Sequence, residues 1–296
     1  MQNDKQRVMT ISFPKLKSNN NQIEFQIIDM KTLFEIKSDH DLEYPHRLEF
    51  NVIMIVNQGE GFHNIDFKTY KYKKGSVFFI KRGQVHNFNI NPNLNCYILQ
   101  FTDNFLNRLL KNFIYDIFDY MRYPANMLLD SKSLSDILNN IELLQNQLET
   151  DDDEYQEAIL QSLFHSLQLK RKREKQSIDL KDKDKKLYQD FLKIAHTYHS
   201  YSMKVEDYSR KLNISSKTLT NRLKKYTGKP TKIYLNEFLL LEIKRYLLDE
   251  RLTIQEIADK LDFDEATNLV KFFKRFENMT PKEYKLKKNK QNYISI

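Results

Sequence analysis

Few side chains in this sequence are equipped for bond-making chemistry, and their spacing restricts what they can do. Of seven histidines, His40, His46, His63 and His86 fall in the first third of the chain. Imidazole serves as metal ligand or proton carrier, and a metal site needs several such ligands held close together, which a closely spaced His-x-His pair followed by a Glu on one strand region would supply. His46 is followed by Arg47, Leu48 and Glu49, so that pair is absent. Hydrogen bonding at a pocket wall or a strand end is the expected role instead. The single thiol, Cys96, excludes an internal disulfide and any Cys-rich zinc site, and its alternating surroundings, NCYILQF, suit a small buried apolar residue. With five glycines in all, the chain carries neither a P-loop nor a Rossmann fingerprint. The reading is of a non-enzyme without a cofactor.

The remaining chemistry is ionic. The net charge is +8 over 296 residues, and from Lys186 to Lys290 there are 23 Lys/Arg against 14 Asp/Glu. A basic surplus gathered in one half belongs on whichever domain meets a polyanion. The opposite partner, a membrane, is not expected: no run approaches the roughly 20 apolar residues of a span, and MQNDKQRVMT lacks a signal-peptide core. A cytoplasmic location follows.

Two kinds of element must position these groups. Between about residues 23 and 101, the runs FNVIMIV, SVFFI and CYILQF are separated by turn signals at NQGEG, KKG and KRG, a pattern of many short strands that predicts a sandwich or barrel. Beyond Thr102 the period changes. Leu134, Ile137, Leu138, Ile141, Leu144 and Leu148 form one helical stripe, and Tyr155, Ile159, Leu163 and Leu167 a second. The charged segment LKRKREKQSIDLKDKDKK reads as an interdomain linker or a solvated helix end. Seven helices are expected after it, at about 187–199, 204–212, 215–226, 231–249, 253–261, 264–277 and 281–287. Ser215, a Thr253/Glu256 capping box, and Thr280 with Pro281 and Glu283 mark three of their starts.

Those helices pair into two helix-turn-helix units. Val205, Tyr208 and Leu212 share a core with Ile214, Leu219 and Leu223, and Ile254, Ile257, Ala258 and Leu261 share one with Phe263, Leu269, Phe273 and Phe276. Asn213 and Asp262 stand at the turns, and both residue types tolerate the left-handed conformation. The helix between the units would span about 28 Å at 1.5 Å per residue, comparable to the ~34 Å between successive faces of a major groove.

The segment IQEIADKLDFDEATNLVKFFKRFENMTPKEYK resembles the DNA-binding signature of the AraC family of bacterial transcription regulators, through Ile257, Ala258, Phe263, Phe273, Lys274, Pro281 and Tyr284. Asp262 and Asn278 replace the usual glycines, and Tyr208 is read as filling the first unit's small-residue position. The resemblance implies base reading by Lys217, Thr220 and Asn221 in one unit and by Thr267, Asn268 and Lys271 in the other. Arg222, Lys224, Lys225, Lys274 and Arg275 would touch phosphates. Ahead of this region, GEGFHNIDFKTYKYKKGSVFFIKRGQVHNF resembles the cupin-like sensory barrel of the same family, with Lys81 in place of a usual proline. His46, Glu49 and His86 would then line a ligand pocket, with no metal. The rival reading, a metal-dependent barrel enzyme fused to a DNA-binding domain, predicts bound transition metal.

The expected fold is α+β: an N-terminal cupin-like β-barrel with helices and a C-terminal all-α domain of two helix-turn-helix units. The expected divisions are 1–125 for the sensor, 126–185 for a helical dimerisation region and linker, and 186–290 for DNA binding. The expected partners are double-stranded DNA, a small-molecule effector, RNA polymerase and a second copy of the chain, in an activator.

Overall fold

A computed structural model describes residues 8–13, 17–18, 21–22, 24–35, 42–88, 91, 93–109, 118–147, 153–174, 182–198 and 200–292. His40, Leu148 and residues 175–181 of the charged segment lie outside them, and the two ends of that segment, residues 169–174 and 182–186, are helical. The chain divides into two compact units at Ser177/Ile178.

The first unit carries twelve strands among its described residues: β1 (Met9–Ile11), β2 (Lys17–Ser18), β3 (Asn21–Gln22), β4 (Phe25–Asp29), β5 (His46–Leu48), β6 (Asn51–Gln58), β7 (Gly61–Ile65), β8 (Lys68–Tyr72), β9 (Ser76–Ile80), β10 (Val85–Phe88), β11 (Asn95–Phe101) and β12 (Asn126–Leu128). They build two five-stranded sheets, ordered β1-β5-β10-β7-β8 and β12-β9-β6-β11-β4, while β2 and β3 pair separately. The expected barrel is therefore two opposed sheets that are not closed into one. Four helices are seen among its described residues: α1 (Met30–Glu35), α2 (Asp103–Leu109), α3 (Ser131–Gln147) and α4 (Asp153–Glu174).

The unbroken apolar run of β6 has a physical reason. Strand side chains alternate between faces, and here both faces are covered. Val52, Met54 and Val56 join Phe78, Ile80, Cys96 and Ile98 in the core between the sheets. Ile53 and Ile55 join Val77, Phe79, Leu99 and Phe101 in a second core beneath α3 and α4. The helical stripes at Leu134, Ile137, Ile141 and Leu144, and at Ile159, Leu163 and Leu167, are buried in that second core. Arg171 of α4 lies 4.2 Å over the Phe79 ring and donates to the Pro124 carbonyl at 2.6 Å. Leu134, Ile137, Ile141 and Leu144 are thus buried within the unit itself.

The second unit is helical: α5 (Asp182–Tyr198), α6 (Val205–Lys211), α7 (Ser216–Thr227), α8 (Thr231–Leu247), α9 (Ile254–Lys260), α10 (Ala266–Glu277) and α11 (Pro281–Asn292). The caps are those expected. Ser215 Oγ accepts from the Thr218 N–H, and Thr253 and Glu256 satisfy each other's backbone N–H groups, as do Thr280 and Glu283. Each such cap satisfies a donor that a helix start leaves over. α8 buries residues along its length, from Tyr234 through Phe238 and Ile243 to Leu247, because α7, α9, α10 and α11 pack against it.

Candidate DNA interface and ligand cavity

In each helix-turn-helix the chain must reverse within a few residues, and Asn213 and Asp262 do so at φ 53° and 55°. Asn278 closes α10 in the same left-handed conformation, as Gly228 closes α7. Backbone bonds fix which residues correspond between units. Ile214 N–H donates to the Ser209 carbonyl, and Phe263 N–H donates to the Ala258 carbonyl, both at 3.0 Å. Ser209 is therefore the counterpart of Ala258, and Tyr208 that of Ile257. The expectation that Tyr208 fills the small-residue position is corrected accordingly. The close crossing is made by Ser209, whose hydroxyl meets that of Ser216 at 3.0 Å, while the Tyr208 ring turns away to pack on Phe191 at 5.5 Å.

Lys217, Asn221, Thr267 and Lys271 are exposed on α7 and α10, and Thr220 and Asn268 are half-buried. Because the second turn is one residue longer, Lys217 corresponds to Thr267, Thr218 to Asn268, Thr220 to Val270 and Asn221 to Lys271. The two expected base-reading sets are consequently not equivalent position by position. Thr218, absent from both, holds its hydroxyl 2.8 Å from the capping Ser215. The Thr267 hydroxyl donates to Glu265 at 2.8 Å.

The expected phosphate contacts also separate. Lys224, Lys274 and Arg275 are exposed, with the Arg275 guanidinium 4.8 Å over Phe276. Arg222 and Lys225 instead share Asp184 of α5, at 3.5 and 4.0 Å. A half-buried carboxylate there offsets part of the basic face.

The two readers are held by more than α8. In the segment ahead of α6, Tyr201 N–H donates to the Leu261 carbonyl at 2.8 Å, and its ring stacks on Phe263 at 4.0 Å and 14°. The Lys244–Glu277 ion pair ties α8 to α10 at 2.7 Å, and Lys285 of α11 donates to the Asp249 and Leu252 carbonyls.

Between the sheets of the first unit lies a cavity of about 140 Å³. Its apolar wall includes Val52, Met54, Ile80 and Ile98, and its polar groups are Ser12, Gln26, His46, His63, His86 and Gln100. The expected His46 and His86 are there, directly paired across β5 and β10, their ring centroids 4.2 Å apart. Glu49 is not in the lining: it is exposed and accepts from Ser12 Oγ at the cavity's edge. His63, on the next strand, was not expected, and its Nε2 lies 3.1 Å from His86 Nδ1. Burial, and then the nearby His46, lower the His63 pKa to about 3, so it is neutral in the folded protein at pH 7. His46 Nδ1 donates to the Tyr44 carbonyl at 3.0 Å. Among the described residues, no three His, Cys, Asp or Glu side chains are grouped to hold a metal ion.

Comparison with known proteins finds a family match in each unit. The AraC-like ligand binding domain matches residues 31–175, and a helix-turn-helix domain matches residues 208–287. The HTH-type transcriptional activator RhaS of Enterobacter sp. (strain 638) is 21% identical over 254 residues, covering 80% of this chain and 86% of its own. RhaS of Escherichia coli (strain K12 / DH10B) is 23% identical over 252 residues, covering 81% and 87%. Among solved structures, ToxT of Vibrio cholerae with bound unsaturated fatty acid aligns at TM-score 0.44 and 15% identity, over 90% of this chain and 97% of that one.

Proposed function

The chain belongs to the AraC family of bacterial transcription regulators, and from that premise we propose that it is an activator whose α7 and α10 enter adjacent turns of one major groove. The observation that carries this reading is the duplication itself: two reversals at left-handed Asn213 and Asp262, each followed by a helix with an exposed polar face. Lys217, Thr220, Asn221, Thr267, Asn268 and Lys271 read base edges, where Lys suits guanine, Asn suits adenine and the Thr methyl suits thymine. Lys224, Lys274 and Arg275 anchor to phosphates, joined by Arg222 and Lys225 once they leave Asp184. With 17 residues, α8 is about 25 Å long at 1.5 Å per residue, so a single subunit spans both segments.

The first unit senses a small molecule in its intersheet cavity, and it pairs with a second copy so that each DNA-binding unit meets one of two sites. A ligand that favours one arrangement of the pair shifts which sites are occupied, and contact with RNA polymerase converts occupancy into transcription in the cytoplasm. Gel-shift titration at fixed salt on footprinted genomic sites tests the assignment. Lys271→Ala should weaken specific binding by about 1–3 kcal/mol, the worth of one good base contact, with the fold intact. Unchanged affinity removes Lys271 from the reading set.

A further inference from the structure

We propose that the intersheet cavity takes an uncharged molecule about the size of one six-membered ring, apolar over most of its surface and carrying one hydroxyl that meets His63. The inference rests on the reading of the first unit as a sensor. Size comes first. A cavity of about 140 Å³ is close to the ~150 Å³ space, lined by Leu, Ile and Phe, that holds benzene in an engineered protein. A sugar ring with its full set of hydroxyls is disfavoured by a wall that is mostly apolar.

Polarity then narrows the class. The described wall is apolar apart from Ser12, Gln26, Gln100 and the three histidines. Gln26 donates to Gln100, which occupies part of both amides. His63 is fully buried, and its Nδ1 has no hydrogen-bond partner among the described residues, while its Nε2 is engaged with His86. A buried polar atom left unmatched is costly, and a ligand group that matches it gains what the empty cavity forgoes. Whether Nδ1 is donor or acceptor depends on which ring of the His63–His86 pair carries the shared proton. A hydroxyl can donate or accept and so fits both tautomers, whereas a carbonyl fits one. The imidazole itself stays neutral because burial opposes its protonation. An anion would meet no Lys or Arg among the described lining residues and would leave water for a mostly apolar wall, which is unfavourable without an opposite charge.

Thermal-shift and calorimetric titrations of the full chain at pH 7.5 test this with phenol, toluene and benzoate, three probes of similar size. Phenol should bind at least tenfold more tightly than either of the others. His63→Leu should reduce its advantage over toluene to less than twofold while toluene still binds. Benzoate binding as tightly as phenol, or phenol no better than toluene in the unaltered protein, overturns the proposal; that ranking decides even where the variant does not fold. If no probe binds but a metabolite extract changes promoter occupancy in a gel shift, the ligand class is wrong and the sensor reading stands. If neither responds, both fall.

Discussion

Tyr201 offers the most direct test of whether the two helix-turn-helix units act as one rigid reader. Tyr201→Ala removes a ring stacked 4.0 Å from Phe263 and set edge-on to Phe272 at 5.9 Å, but keeps the backbone bond to Leu261. The stack is worth about 0.5–1.5 kcal/mol beyond area burial. The side chain is already 40% exposed, so the burial lost is partial and the total stability cost is about 2 kcal/mol, on the order of one aliphatic side chain's burial. The ring joins the segment before α6 to the turn between α9 and α10, so its loss lets the two recognition helices shift relative to each other. Binding to an oligonucleotide carrying both groove segments should then weaken by up to about tenfold, since 1.4 kcal/mol is one decade. An oligonucleotide carrying only the α10 segment should bind as before. Tyr201→Phe keeps the stack and should behave as the parent. Fluorescence anisotropy at fixed salt reads all three proteins, and equal losses on both oligonucleotides, or none on either, would refute the coupling.

Other outcomes follow from the same geometry. Asp184→Asn releases Arg222 and Lys225, so the slope of log affinity against log salt should steepen by about 1–2, at ~0.9 per added phosphate contact; an unchanged slope means the two cations never reach DNA. Tyr208→Ala empties a site only 2% exposed against Phe191 and should cost about 3–5 kcal/mol in a urea melt, as other large aromatic truncations do. A cost below 1 kcal/mol would mean the ring is not part of the core. Because the folded protein holds His63 near pKa 3 against an ordinary 6.5, the unfolded chain takes up this proton first as pH falls. The stability it contributes is complete above pH 6.5 and is lost progressively toward pH 3, by about 2 kcal/mol at pH 5. His63→Leu should flatten that part of the pH profile, and an unaltered profile would place the titration elsewhere.

What could be read from the sequence was what local chemistry fixes. Ser215, Thr253 and Thr280 announce helix starts because their side chains cap donors within three residues, and Asn213, Asp262 and Asn278 announce reversals because their backbones adopt φ > 0. Correspondence between the units was harder. Tyr208-Ser209 had to be matched to Ile257-Ala258 across unlike side chains, and the extra residue before α10 shifts the register on the recognition helices. The cavity was half legible. His46 and His86 face each other across strands 40 residues apart in sequence, a pairing that no local spacing encodes. His63 was hidden by its neighbour: Phe62 is 49% exposed while His63 points inward, the reverse of what hydrophobicity alone would assign to that alternation.

The strands shared by the two cores make the inner sheet a diaphragm. Val52, Met54, Ile80 and Ile98 touch the cavity, while Ile53, Ile55, Phe79 and Leu99, one residue along the same backbones, carry α3 and α4. Side chains this closely packed do not absorb a displacement. A molecule that presses these strands apart from the opposite sheet therefore moves the floor on which both helices stand, and a change in what the cavity holds becomes a change in the shape of the unit's outer surface.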